Sequence, residues 1–154
     1  MSQLLEEREY YKPFVYPWAF EFYKKQQQMH WLPEEVPLQD DIKDYREKLS
    51  DGERTLIDNI FKFFTQADVD VCCGYAKHYL PTFKQPEVRM MLVSYAAMEA
   101  VHQEAYSLLL ETLGKSDEMY QEFFDINAMM EKHEYLQDFS MKTPFDMAKT
   151  MAVY

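Results

Sequence analysis

Only three glycines, Gly52, Gly74 and Gly114, occur in 154 residues. Glycine supplies the backbone conformations that hairpins and bulges need. Scarcity on this scale therefore favours long helices joined by short turns over any sheet-rich fold. Apolar residues make up 47% of the chain and aromatics 16%, which supports a packed core and excludes a disordered chain. A chain of this length buries roughly 68–70% of its unfolded surface.

The formal charge is −11, from 27 acidic and 16 basic side chains. Such a chain repels phosphate backbones and anionic lipid surfaces, so nucleic acid and membrane are excluded as partners. Bound cations remain compatible with it. Cys72 and Cys73 are adjacent and have no third cysteine to pair with, so no disulfide framework exists and a reducing cytoplasm fits. The start, Met1 to Arg8, lacks a basic segment followed by an apolar run. No apolar run approaches the roughly 20 residues of a membrane span. The chain reads as soluble and cytoplasmic.

Prolines and capping residues punctuate it. Pro17 opens an aromatic, amphipathic segment from Trp18 to His30, and Pro33 and Pro37 bracket a loop. Ser50-Asp51-Gly52-Glu53 is a capping box, from which a helix is expected through Ile57, Phe61, Phe64 and Asp68 to about His78, before Pro81. Pro86 and Gly114 bound a second long helix, Val88 to Leu113, apolar around most of its circumference as in a helix buried inside a bundle. A third is expected from Ser116 to about Phe139. A fourth, from Thr143-Pro144 into Tyr154, reads as an apolar element cut off in its middle. The expected architecture is all-α, one partial domain over 1–154: an N-terminal helix and loops over 1–49, bundle helices over 50–154.

The second long helix carries Met98-Glu99-Ala100-Val101-His102-Gln103-Glu104-Ala105-Tyr106. Residues three and four apart share a helix face, so Glu99, His102 and Tyr106 point the same way. A buried carboxylate beside a buried imidazole is costly unless paired or metal-bound. Glu-x-x-His is the recurring unit of dimetal-carboxylate sites in helical bundles. Nitrogen with carboxylate oxygen suits iron or manganese. Asp68 lies well inside the preceding helix, where aspartate has poor propensity. It reads either as a metal ligand facing Glu99 and His102, or as an ordinary polar residue, such as one paired with Asp70 on a wet face.

Three motifs in register sharpen this. His30-Trp31-Leu32-Pro33-Glu34-Glu35-Val36, Phe63-Phe64-Thr65-Gln66-Ala67-Asp68, and Ala97-Met98-Glu99-Ala100-Val101-His102-Gln103-Glu104-Ala105-Tyr106-Ser107-Leu108-Leu109 together resemble the class I ribonucleotide reductase small subunit, in the order and spacing of its first half. The resemblance implies a ferritin-like helical bundle, here incomplete, with a dinuclear metal centre: iron first, manganese or a mixed pair as alternatives. It makes Asp68, Glu99 and His102 metal ligands, Tyr106 the residue oxidised to a stable radical, and Trp31 an electron relay. It implies oxygen activation that yields a tyrosyl radical, which the large subunit uses to reduce ribonucleotides to deoxyribonucleotides.

The resemblance also calls for a further glutamate and a second Glu-x-x-His from two later helices. None occurs; Glu131-Lys132-His133-Glu134 has the wrong spacing and reads as a solvated helix face. Three of six ligands are thus in hand. The expected partners are the C-terminal half of the small subunit as a separate chain, the large subunit and an oligomeric mate. The competing readings are a ferritin-like dimetal oxidase, a site built from two copies of this chain, and a non-catalytic half-bundle that binds a reductase subunit. Cys72, the vicinal Cys73 and the methionines read as core filler.

Overall fold

The computed structural model describes residues 3–154, and among them helices and turns occur without a strand. Six α-helices carry the fold: α1, Pro17–Gln28; α2, Gln39–Glu47; α3, Asp51–Gly74; α4, Pro86–Leu113; α5, Asn127–Gln137; and α6, Pro144–Val153. No helix among the described residues is long and apolar enough to cross a membrane.

The capping signals act where they stand. The Ser50 N–H donates to Glu53 Oε2 at 2.8 Å, and the Glu53 N–H reaches back to Ser50 Oγ at 3.4 Å, opening α3. Thr143 and Asp146 form the same reciprocal pair at the start of α6. Gly114 closes α4 with a positive φ of 77°, a conformation that costs any residue with a Cβ.

Three elements depart from the sequence reading. The helix expected to reach about His78 is α-helical only to Gly74; Tyr75–Tyr79 then widen into a π-turn, and Leu80–Thr82 make a last turn around Pro81. Proline's fixed φ and missing N–H are tolerated near the start of that short segment, just after the π-turn. The single helix expected from Ser116 to Phe139 is instead two 3₁₀ turns, Asp117–Tyr120 and Glu122–Asp125, followed by α5. Met119 and Phe123 are buried from those turns, which the tighter spiral allows. Helix α2 lies where the sequence reading saw only a loop and its aftermath; it is short, strongly polar and has no fully buried residue.

The chain packs as two compact units. One holds the described residues through His30, with Val71–Glu99 and Phe139–Tyr154. Its core gathers Ala19, Tyr79, Phe83, Val88 and Leu92. The fully buried Glu87 carboxylate pins the N-terminal segment, accepting the Val15 and Tyr16 N–H groups at 2.8 Å each and Arg8 Nη2 at 2.6 Å. Gln85 adds bonds to the Gln3 and Glu6 carbonyls. Tyr154 lies against Gly74, where a Cβ would come within 2.7 Å of its ring.

The other unit is Trp31–Asp70 with Ala100–Asp138. It buries Pro33, Leu110, Leu113, Met119, Phe123 and Leu136. Lys115 ties α2 to α3 by donating to Tyr45 Oη at 2.6 Å and Asp58 Oδ2 at 2.7 Å. Helix α4 is less enclosed than its apolar sequence suggests: Arg89, Val93, Ala97, Ala100 and Glu104 are exposed.

Candidate metal centre

Asp68 stands in the last third of α3, with its side chain 14% exposed. His102 stands in the second half of α4 and turns Nδ1 toward Asp68 Oδ2 at 3.8 Å. Glu99 precedes His102 by three residues on the same unbroken helix, so both side chains leave one face. One potential ligand atom each from Asp68, Glu99 and His102 lies within 4.8 Å of the others. Two carboxylates and an imidazole at that separation can share one cation with small rotamer changes. The harder oxygen and nitrogen donors favour iron or manganese over a thiophilic metal.

Aromatic residues flank the cluster. The Trp31 indole is 6.3 Å, centroid to centroid, from the His102 ring at an interplanar angle of 35°. Tyr106, one turn beyond His102, stacks on Phe64 at 5.7 Å and 12°. The sequence reading placed the face bearing Glu99, His102 and Tyr106 inside the molecule. It is only half-buried: the His102 side chain is 40% exposed, and Phe64, under Tyr106, is 40% exposed. All five residues singled out from sequence thus lie on or beside the facing helices α3 and α4, Trp31 entering from the segment before α2.

The neighbourhood of Glu99 is tyrosine- and thiol-rich. Burial pushes the Cys72 thiol above its ordinary range, with Cys73 and the Glu99 charge adding to it. Cys72 Sγ lies 3.7 Å from the Ala96 carbonyl. Burial likewise raises Tyr75, with Glu99 and Tyr95 contributing. Both groups stay protonated at neutral pH, which suits packing better than reactivity.

Two contacts escaped the sequence reading. His133, assigned to a solvated face, is instead directed at Asp70: Nδ1 lies 2.8 Å from Oδ2, and Phe124 stands edge-on to its ring. Asp70 is 5% exposed and also accepts Gln66 Nε2 at 3.1 Å, so it is no wet partner of Asp68. The only sequence signal was a second aspartate in mid-helix, two residues after the first and so on the opposite side. Gln103 was the other: its Nε2 donates to the Asp68 backbone carbonyl at 3.3 Å.

Comparison with known proteins fits this geometry. Residues 8–154 match the family described as ribonucleotide reductase, small chain. A probable ribonucleoside-diphosphate reductase small subunit of Invertebrate iridescent virus 6 is 49% identical over 137 residues, covering 89% of this chain and 38% of that protein. The ribonucleoside-diphosphate reductase small subunit of Dictyostelium discoideum is 34% identical over 113 residues, covering 73% of this chain and 33% of that protein. Among solved structures, the ribonucleotide reductase R2 subunit from Clostridium botulinum superposes with a TM-score of 0.77 at 25% identity, over 90% of this chain and 45% of that one. The fold is therefore the all-α, ferritin-like one of these small subunits, and the chain spans less than half the length of each of these three proteins. With a match that begins at residue 8 and runs through Tyr154, the chain belongs to the ribonucleotide reductase small-chain family.

Proposed function

We propose that this chain provides the first half of a dimetal-carboxylate site and the tyrosine that stores its oxidising equivalent, within a ribonucleotide reductase small subunit. The observation that carries the reading is the convergence of Asp68, Glu99 and His102 within 4.8 Å, with Trp31 and Tyr106 at the same helix pair. The donor chemistry fits iron, with manganese or a mixed pair also compatible.

Asp68, Glu99 and His102 would hold the metal pair from this side, and the pair when bound would supply oxygen activation. Tyr106 would be the residue oxidised, and Phe64 stacked on its ring shields it from reductants on that side. Trp31, against the His102 ring, is placed to pass an electron toward the site. The stored equivalent serves the large subunit, where ribonucleotides are reduced. Two free cysteines and the absence, among the described residues, of a membrane-crossing helix fit work in the cytoplasm.

The remaining carboxylates and the second imidazole come, in this reading, from the family's later helices, laid over the half-buried face at His102 and Phe64. The oligomer and the large subunit complete the enzyme. The test is to reconstitute the chain with a polypeptide carrying the family's later helices, load ferrous iron, admit oxygen, and measure iron per chain and the tyrosyl signal by electron paramagnetic resonance. Two irons per pair and a signal abolished by Tyr106→Phe are expected. Two irons with no radical would favour a dimetal oxidase, and no tightly bound iron would favour a non-catalytic binding module. Iron and a Tyr106-dependent radical in this chain alone would mean that two copies build the site.

A further inference from the structure

Gln103 follows the proposed ligand His102, and its side chain has a different target on the same aspartate. Its Nε2 donates to the Asp68 main-chain carbonyl at 3.3 Å. Inside α3 that oxygen already serves as acceptor for the N–H four residues on, and its second lone pair can take another donor. Because the acceptor is a carbonyl, the amide must present nitrogen rather than oxygen to it, which sets its orientation.

Consecutive side chains on a helix diverge by about 100°. His102 and Gln103 therefore straddle α3, with His102 reaching toward the Asp68 carboxylate at 3.8 Å and Gln103 holding its backbone. On its opposite side α3 is held two residues further on, where Asp70 meets His133 of α5 at 2.8 Å. The turn of α3 that carries Asp68 is thus clamped from two helices, through the Asp68 main-chain carbonyl and the Asp70 side chain.

We propose that Gln103 is a positioning residue of the metal centre: it fixes the height of Asp68 along α3 relative to His102, so that carboxylate and imidazole address the same ion. The inference rests on the reading of Asp68 and His102 as ligands. Metal–ligand bonds tolerate displacements of only about 0.2 Å, whereas helices packed through apolar side chains alone have no comparably sharp register. A directional bond from the residue next to one ligand to the backbone of the other removes that freedom.

The test uses Gln103→Met, which keeps length and loses the donor, with Gln103→Leu as a second variant in case one folds poorly. Cobalt(II) is the probe, titrated into the chain reconstituted with a polypeptide carrying the family's later helices and followed by its visible ligand-field bands. Both variants are expected to bind cobalt about 10-fold or more weakly, with shifted bands, while the metal-free melting temperature changes little. A parallel measurement needs no metal: the His102 ring resonances of the metal-free chain should move in both variants and stay fixed in Thr112→Val, a control on the same helix. Cobalt affinity and bands equal to wild type, or unmoved His102 resonances, would overturn the proposal and leave Gln103 as a packing contact. Wild-type subunit, so reconstituted, that binds no cobalt would count against the ligand reading itself, and the resonance comparison would still decide whether Gln103 sets the Asp68–His102 geometry.

Discussion

Glu87 shows what a single buried charge does in this fold. Burial by itself pushes its carboxyl upward, but the Tyr16 N–H, the backbone N–H at its own position, the Val15 N–H and the Arg8 charge together outweigh that and hold it below the ordinary range. A carboxyl whose folded value is depressed stabilises the native state above its unfolded value near 4.5, and that stability is lost as pH falls through the folded value. Urea unfolding from pH 7 down to pH 3 should show this acid-side loss, and Glu87→Gln should flatten the profile. The same variant leaves Arg8 buried without its counter-charge, so at pH 7 a loss of about 3 kcal/mol is expected. His133→Ala should cost about 2–3 kcal/mol for the parallel reason that Asp70 stays buried with Gln66 alone. Denaturant midpoints for that variant check it. Neither partnership was legible in the sequence: Arg8 and Glu87 stand 79 residues apart, and Asp70 and His133 stand 63 apart. Charge alone does not say which residues a chain will bury together. The pairing of Glu99 with His102 on one helix face was legible because Glu-x-x-His is a local pattern whose geometry the helix guarantees.

Helix ends and helix interiors were legible to different degrees. The box at Ser50, the helix start at Thr143-Pro144 and the left-handed Gly114 were readable because capping is short-range chemistry between residues three or four apart. The π-turn at Tyr75–Tyr79 and the 3₁₀ turns over Asp117–Asp125 were not, because which spiral forms depends on what Tyr79, Met119 and Phe123 pack against. Gly74 illustrates the point. It has ordinary helical backbone angles, φ −58° and ψ −45°, so helix propensity alone favours Gly74→Ala by about 1 kcal/mol. The Tyr154 ring, 2.7 Å from where the methyl would sit, opposes it. Gly74→Ala should therefore destabilise the wild-type chain and stabilise the Tyr154→Ala chain, a change of sign that a double-mutant cycle of thermal melts would read.

For the molecule as a whole, stability and metal should be linked. An ion that binds only the folded chain raises stability by about 2.7 kcal/mol at 100 times its dissociation constant. Manganese(II) or anaerobic ferrous iron should accordingly raise the melting temperature of the reconstituted subunit. The gain should vanish in Asp68→Ala or His102→Ala and fade in acid as the ligands protonate. Scanning calorimetry with and without metal would measure it. Fold class and family were legible at this scale because glycine scarcity and three spaced motifs are global properties of the chain. The half-open character of α4 was not. An apolar helix reads the same whether its neighbours are present or supplied by another segment, and Leu56, Ile60 and Phe64 form a row of exposed apolar side chains along α3 as well.

The closeness of the Trp31 indole to the His102 ring has an optical consequence. The chain has only two tryptophans, and Trp18 is remote in sequence and 48% exposed. With Trp18→Phe, ultraviolet emission would come from one indole whose ring lies 6.3 Å from an imidazole at the site. An open-shell ion bound to that imidazole would quench the indole at close range. Emission intensity would then report occupancy in real time, without any label.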